Sequence, residues 1–192
     1  MEKPSLFFGT GNAKKLKEIR EILGDRFTIK SFTDLPSPLE VEETESTLEG
    51  NAALKAQAFF DCVGIPCISD DTGLEVEALD GAPGVFSARY AGPEGDAQAN
   101  MAKLLHEMAG LSIRKAKFRT VIAYYDGKKM SFFEGELKGS IGHEPRGTNG
   151  FGYDPVFLPE GENRTLAEFT AEEKNAISHR GRALNQFVGF LS

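Results

Sequence analysis

Segments with the period of a β-strand and segments with the period of an α-helix occur in this chain without strict alternation. The apolar run SLFF at 5–8 stops at Gly9, and apolar residues then recur at helical spacing as far as Leu23. Residues 74–78 instead alternate between apolar and acidic side chains, as in a half-buried strand. This mixture predicts a mixed α/β (α+β) fold rather than an all-helical or all-β fold.

The length of 192 residues suits one substantial core, or two small lobes that share a sheet. The sequence contains no internal repeat, low-complexity tract or interdomain linker, so we expect a single domain over residues 1–192. No apolar run approaches the roughly 18 residues of a membrane span, and the N-terminus does not resemble a secretory signal. These features predict a cytoplasmic protein without a membrane partner.

The net charge of −7 argues against a nucleic-acid partner, because binding to a phosphate backbone depends on clustered Lys and Arg side chains. A small anionic ligand is still allowed, since a few local cations and backbone N–H groups can hold a polyphosphate, particularly with a divalent metal. The two cysteines, Cys62 and Cys67, predict reduced thiols rather than a disulfide framework.

Local signals place several helix starts and one hairpin. Ser46 with Glu49, and Thr170 with Glu173, fit capping boxes. The other expected boundaries are an N-cap at Asn12, a helix end at Gly24, an N-cap at Asp96 and a hairpin turn at Asp126 and Gly127.

The turn GTGNAKK at 9–15 is typical of a phosphate-binding turn. Gly9 and Gly11 allow backbone N–H groups to approach an anion at a helix N-terminus, and Lys15 adds a positive charge. The pattern matches neither of the common nucleotide-binding motifs, so a plain tight turn between strand and helix is an equal alternative.

The sequence SDDTG puts Asp70 and Asp71 where we expect a strand to end, a common position for Mg²⁺ ligands in α/β enzymes. Successive strand residues point to opposite sides, so the two acids should differ in role. The alternative is a capped turn with solvated carboxylates. The glutamates between 40 and 45 add a further metal ligand or form a solvated surface.

Two further stretches carry candidate binding residues. The basic cluster at 174–182 suits recognition of an anion or a carbonyl oxygen, and its alternative is a basic helix surface. The stretch GTNGFGYDPVF at 147–157 suits stacking on a flat ring, with Asp154 bonding the edge of the ring. Its alternative is that Phe151 and Tyr153 begin a buried strand.

Taken together, these stretches resemble the inosine triphosphate pyrophosphatases, also called non-standard purine NTP (dITP/XTP) pyrophosphatases. The similarity spans nearly the whole chain, and five motifs occur in the order of that family. They are TGNAKK (10–15), EETESTLEGNAALKA (42–56), SDDTGLEVEALDGAPGVFSARYAG (69–92), GTNGFGYDPVF (147–157) and EEKNAISHRGRAL (172–184).

The resemblance implies a long, curved mixed sheet flanked by helices, with a nucleotide bound in a cleft between two lobes. It also implies a homodimer that uses Mg²⁺ to hydrolyse ITP, dITP and XTP to the monophosphate and pyrophosphate. Two alternatives stay open: a related pyrophosphatase with another base preference, and a nucleotide-binding regulatory module without turnover.

The resemblance also assigns roles to individual residues. The implied Mg²⁺ ligands are Glu43 and Asp71, with Asp70 as a further candidate, and Asp71 is the implied proton acceptor. Contacts with the phosphates are implied for Thr10, Asn12, Lys15, Lys55 and Lys174. Contacts with the substrate, without a stated part of it, are implied for Gly11, Thr72 and Arg89. The implied base pocket comprises Phe151, Gly152, Tyr153 and Asp154, with Ser178, His179 and Arg180 at the 6-oxo edge. One departure lies beside Glu43, where Leu48 and Gly50 stand at positions often filled by Phe and Glu.

Overall fold

The computed structural model describes residues 3–37 and 39–191. The helices are α1 (Ala13–Leu23), α2 (Leu48–Val63), α3 (Ala97–Glu107), α4 (Ala171–Ile177) and α5 (His179–Phe190). The strands are β1 (Ser5–Phe8), β2 (Thr28–Lys30), β3 (Cys67–Val76), β4 (Pro83–Gly84), β5 (Lys115–Tyr125), β6 (Met130–Ile141) and β7 (Phe157–Pro159). Among the described residues, no helix is long and apolar enough to cross a bilayer.

The strands form one mixed sheet in the order β2-β1-β3-β5-β6-β7, and β4 pairs with β3 outside this path. Strand β1 runs parallel to β2 and to β3, with Phe7 opposite Cys67. Strand β4 is antiparallel to β3, and β7 is antiparallel to β6. The predicted mixed α/β class is therefore confirmed.

The chain folds into two compact units, each built from separate stretches of sequence. The first unit comprises the residues up to Asp71, Thr120–Glu134 and the residues from Gly181 onward. One cluster of its buried side chains comprises Leu6, Phe8, Ile19, Leu23, Ile68, Ile122, Phe133, Ala183, Leu184 and Phe187. A second cluster in this unit contains Phe7, Phe59 and Cys67, so β1 contributes buried side chains from both of its faces.

The second unit comprises Thr72–Arg119 and Gly135–Arg180. Its buried side chains include Leu74, Val76, Leu104, Met108, Phe118, Leu137, Tyr153, Phe157 and Phe169. Each unit therefore has a hydrophobic core of its own.

The predicted local boundaries are mostly confirmed. Asn12, Asp96 and Thr170 accept hydrogen bonds from the first turns of α1, α3 and α4. Asp126 caps the β5–β6 turn by accepting the N–H groups of Lys128 and Lys129. The capping box predicted at Ser46 and Glu49 is wrong. Thr47 is the N-cap of α2, because its hydroxyl accepts the N–H of Gly50 at 3.0 Å.

The predicted position of the two acids at a strand end is also wrong. Strand β3 continues from Cys67 through Asp70 and Asp71 to Val76. Its first residues pair with β1 and its last residues pair with β4, so the ladder does not stop at the acids. Gly73 permits the second pairing, because a Cβ there would lie 2.8 Å from the carbonyl oxygen of Gly84.

Candidate active site

Two lysines and three carboxylates meet in the first unit. Lys15 on α1 pairs with Asp70, with Nζ 3.1 Å from Oδ2. Lys55 on α2 donates to Oε1 of Glu43 at 2.6 Å and to the main-chain oxygen of Asp70 at 2.8 Å. The same Nζ lies 3.7 Å from Oδ1 of Asp71. The neighbouring acids thus have different lysine partners, as their opposite sides of the strand predict.

Asp71 is the least satisfied carboxylate of this group. Its Oδ2 is buried and has no hydrogen-bond partner within residues 3–37 and 39–191. Burial raises the pKa of Asp71 to about 6, and although Lys55 acts to lower it, Glu43 opposes that effect. Asp70 and Asp71 are both buried, so the alternative of a capped turn with solvated carboxylates is wrong.

Lys55 remains protonated in spite of its burial. Desolvation alone would lower the pKa of its ammonium group, but the carboxylates of Asp71, Glu43 and Asp70 raise it above the ordinary value. The cluster therefore keeps positive charge among its carboxylates, and an incoming anion could exchange for them as the partner of the lysines.

The turn before α1 holds its shape through side-chain caps. Asn12 Oδ1 accepts the N–H groups of Lys14 and Lys15 at 3.0 and 3.2 Å, and Thr10 Oγ1 accepts the N–H of Asn12 at 3.0 Å. The two glycines differ in surroundings. A Cβ on Gly9 would overlap the ring of Phe59, whereas a Cβ on Gly11 would meet nothing within 4 Å. Gly9 serves packing, and the open side of the turn lies at Gly11.

Of the glutamates between 40 and 45, only Glu43 is partly buried, and Glu40, Glu42 and Glu45 are exposed. Glu43 contacts Lys55 and therefore differs from the other glutamates, which form a solvated surface. Among the described residues, no group of three or more His, Cys, Asp or Glu side chains has the arrangement of a metal site. Within residues 3–37 and 39–191, the candidate metal ligands are therefore the carboxylate oxygens of Glu43, Asp71 and Asp70, which do not form a complete ligand set.

A second group of candidate residues lies in the second unit, around Asp154. Its Oδ2 accepts the N–H of Phe151 at 2.9 Å and the Lys174 ammonium at 2.8 Å. Gly150 lies directly against this carboxylate at φ +74°, where an added Cβ would overlap Oδ2. The side chain of Asp154 therefore fixes the conformation of the loop that carries Phe151.

Two cations face the ring of Phe151. Lys174 Nζ lies 4.3 Å from the ring centroid, and Arg180 Cζ lies 5.6 Å from it. Both cationic side chains are buried, as are Ser178 and His179, so the alternative of a basic helix surface is wrong for these residues. Phe151 lies in a turn and β7 begins only at Phe157, so the alternative of a buried strand starting at Phe151 is also wrong.

The other predicted residues of this unit have separate surroundings. Tyr153 belongs to the core, and its hydroxyl donates to the carbonyl oxygen of Ser87 at 2.7 Å. Gly152 has φ +62° with open space at the Cβ position. Thr72 is a half-buried residue of β3. Arg89 Cζ lies 5.2 Å from the centroid of the exposed Phe86 ring.

These groups occur in a chain whose residues 6–190 match the sequence model of the Ham1 family. The match covers more than nine-tenths of the chain. The chain belongs to the Ham1 family.

Relatives and solved structures of this family cover nearly the same length. A dITP/XTP pyrophosphatase of Porphyromonas gingivalis is 51% identical over 192 residues, which are 100% of this chain and 98% of the relative. One from Chlorobaculum tepidum is 49% identical and covers 94% of this chain and 89% of its own length. The Ham1 protein of Coxiella burnetii superposes with a TM-score of 0.89 at 40% identity, covering 98% of both chains.

Three residues of this Ham1 chain support the site, and no pattern in the sequence singled them out for that role. The Phe118 ring stacks on His179 with centroids 4.8 Å apart and an interplanar angle of 26°. Asn149 Nδ2 donates to the carbonyl oxygen of Phe169 at 2.9 Å and anchors the glycine-rich loop. Ser69 Oγ donates to the carbonyl oxygen of Ala52 and ties β3 to α2. Phe118 reads as an ordinary core residue, and the partners of all three are distant in sequence.

Proposed function

We propose that this chain hydrolyses dITP, XTP and ITP to the nucleoside monophosphate and pyrophosphate. The two relatives above are named dITP/XTP pyrophosphatase, and their similarity to this chain extends over nearly its full length. The observation that carries the chemistry is Asp71, a buried carboxylate whose pKa is raised to about 6 and whose Oδ2 has no partner among the described residues.

The proposed cofactor is Mg²⁺. The carboxylates of Glu43 and Asp71 are hard oxygen donors, and the unpartnered Oδ2 of Asp71 is the kind of buried atom that a cation would satisfy. Asp70 is a further candidate ligand. Two or three protein donors suit Mg²⁺, which commonly keeps waters and substrate phosphate oxygens in its coordination shell. When bound, the ion would neutralise charge on the polyphosphate.

In the proposed reaction, Asp71 accepts a proton from a water molecule. The water oxygen forms a bond to the α-phosphorus, the bond from that phosphorus to the bridging oxygen breaks, and pyrophosphate leaves. In the metal-free protein the pKa of Asp71 is about 6, so near neutral pH this carboxylate is mostly ionised and can accept a proton. Thr10, Asn12, Lys15 and Lys55 are proposed to hold the phosphates, with Lys15 and Lys55 turning from carboxylate partners toward phosphate oxygens.

The base is proposed to bind at Phe151, whose ring offers a face for stacking. His179 and Arg180, which are buried, would donate hydrogen bonds to the 6-oxo group, whereas adenine presents an amino donor at that position instead of an acceptor. Phe118 would hold the His179 ring in place by stacking on it. Preference for a 6-oxo purine over adenine follows from this assignment.

Product analysis tests the reaction. The purified protein is incubated with Mg²⁺ and, in turn, dITP, XTP, GTP, ATP and dTTP, and the products are separated by chromatography. We expect monophosphate and pyrophosphate from dITP and XTP, with GTP and ATP largely intact. Release of orthophosphate would contradict the proposed bond cleavage. Faster turnover of dTTP would contradict the base assignment, and binding of dITP without turnover would favour a regulatory module.

Arg180→Ala tests the base reader. Since the guanidinium faces Phe151 and is buried, its loss should reduce the ratio of kcat/KM for dITP over dATP by at least about 10-fold, the order of one lost charged hydrogen bond. Arg182→Ala is the matched control, because Arg182 is an exposed arginine two residues further along α5. An unchanged ratio in Arg180→Ala would contradict the assignment.

We also propose a homodimer in the cytoplasm. The resemblance to the pyrophosphatases supports the dimer. Light scattering on the protein as it elutes from a size-exclusion column gives its molar mass in solution directly. A mass near 20.9 kDa, that of one chain, would contradict the dimer.

A further inference from the structure

One face of α2 holds the segment that carries Glu43. Thr47, Asn51 and Lys55 are spaced four residues apart, so they lie on the same side of the helix. Asn51 Oδ1 accepts the main-chain N–H of Glu45 at 2.9 Å. One helical turn further, Lys55 Nζ donates to Oε1 of Glu43 at 2.6 Å. Residues 43–45 therefore run alongside the first two turns of α2, with Glu45 next to Asn51 and Glu43 next to Lys55.

The spacing of these contacts has a simple geometric basis. Four residues of α-helix advance about 6 Å along the axis. Two residues of extended chain advance about 6.6 Å, which is nearly the same distance. Contacts at Glu45 and Glu43, two residues apart, can thus meet helix positions four residues apart. Fixing Glu45 at Asn51 sets the register that brings Glu43 to Lys55.

Gly50 allows this close approach. A Cβ on Gly50 would lie 2.7 Å from Cβ and 2.9 Å from Cγ of Glu45. A larger residue would push the Glu45 segment away from the first turn of α2. The departure noted beside Glu43 in the sequence is therefore the place where the segment packs against the helix.

Asn51 is a costly residue for packing alone. Its side chain is fully buried, and its Nδ2 has no hydrogen-bond partner in the described part of the chain. A buried amide with an unmet donor disfavours folding, and an apolar residue of similar size would avoid that penalty. The contact that Asn51 does make is the one to the N–H of Glu45.

We infer that Asn51 is a positioning residue for Glu43, acting through the main chain of Glu45. The inference rests on the proposed function, in which Glu43 is a Mg²⁺ ligand. Loss of the Asn51 acceptor frees the segment two residues from the ligand, so the Glu43 carboxylate is held less often in its place beside Lys55. The affinity for Mg²⁺ falls while the chemistry at Asp71 proceeds as before once the ion is bound.

Two variants and two controls test this role. Asn51→Ala and Asn51→Leu both remove the acceptor, and leucine keeps the number and branching of the side-chain heavy atoms. Ile122→Val removes one buried methylene from the same unit, in a different hydrophobic cluster from the one against which Leu39 and Val41 pack. Glu43→Gln removes the proposed ligand itself. For each protein, the Mg²⁺ concentration at half-maximal turnover is measured, and so is the Mg²⁺-induced rise in melting temperature without nucleotide.

We expect both Asn51 variants to need at least about 10-fold more Mg²⁺, a typical effect of removing support from a metal ligand, with kcat at saturating Mg²⁺ little changed. The Mg²⁺-induced rise in melting temperature should shrink, and the amide hydrogen of Glu45 should exchange faster than in wild type. Ile122→Val should match wild type in all four of these quantities.

The outcomes separate the inference from the proposed function. If Glu43→Gln weakens the response to Mg²⁺ and the Asn51 variants do not, the positioning role is wrong. If Glu43→Gln leaves the response unchanged, Glu43 is not a metal ligand, and the proposed metal site fails together with the inference. A shift in Asn51→Ala that Asn51→Leu lacks would assign the effect to a cavity and also overturn the inference.

Discussion

At the scale of single residues, Asp71 combines two properties that rarely favour folding. Its carboxylate is buried, which raises its pKa to about 6, and its Oδ2 lacks a partner among the described residues. Structural carboxylates are normally satisfied by hydrogen bonds or ion pairs. An exception of this kind indicates a position kept for binding or catalysis rather than for stability.

Asp71→Asn should therefore separate activity from stability. The amide has the same shape but can neither accept a proton at neutral pH nor bind a cation well, so turnover of dITP should fall by about 10²–10⁴-fold. The metal-free protein should melt at the same temperature or higher, because the variant removes a buried charge. Steady-state kinetics and thermal melting check both expectations, and near-wild-type turnover would remove Asp71 from the mechanism.

Gly150 allows a second test at this scale. It has φ +74°, and an added Cβ would overlap the Asp154 carboxylate that holds Phe151 and Lys174. Gly161 has a similar φ of +81° with open space at the Cβ position, so it isolates the cost of the backbone angle. Both alanine variants should lose about 1–2 kcal/mol of unfolding free energy from the backbone strain.

Only Gly150→Ala should lose more stability than that and also raise KM for dITP, because the displaced Asp154 no longer fixes the loop. Urea unfolding and initial rates measure the two effects. Equal losses of stability and equal KM values in the two variants would show that the contact with Asp154 is unimportant.

At the scale of elements, α2 begins one residue later than predicted, because Thr47 and not Ser46 is its N-cap. Both Ser46 and Thr47 are suitable N-caps, but only Thr47 accepts an N–H of the first turn, at Gly50. Thr47→Ala should cost about 1 kcal/mol of unfolding free energy, and Ser46→Ala should be close to neutral. Chemical denaturation of the two variants decides the cap, and a larger loss in Ser46→Ala would contradict it.

The elements also show which features a sequence can reveal. The caps at Asn12, Asp96 and Thr170 were predictable, because cap and partner lie within three residues of each other. The continuity of β3 was not, since it depends on the approach of Gly84 to Gly73 from eleven residues further on. The stacking of Phe118 on His179 is hidden for the same reason, as 61 residues separate the two rings.

At the scale of the whole molecule, the reactivity of the two cysteines depends on whether the protein is folded. Cys62 is exposed on α2, and Cys67 is buried on β3 beside Phe7 and Phe59. Burial raises the pKa of the Cys67 thiol to about 12, and the nearby Cys62 adds to the shift. Since thiolates and not thiols are nucleophilic, Cys67 should be inert in the native protein.

A disulfide reagent such as Ellman's reagent should therefore titrate one thiol per native chain and two in denaturant. Cys62→Ser should abolish the native reaction, whereas Cys67→Ser should leave it intact. Rapid titration of two thiols in the native protein would contradict the burial of Cys67.

Strand β3 constrains how this site can change over time. Asp70 and Asp71 project to opposite sides of a strand that is paired before and after them, at Cys67 and at Leu74. Inserting or deleting one residue between Ile68 and Asp70 would turn both carboxylates to the opposite side of the strand relative to β1, and so away from their present lysine partners. A substitution changes one side chain of this pair at a time, whereas a change in strand length before Asp70 moves both carboxylates at once.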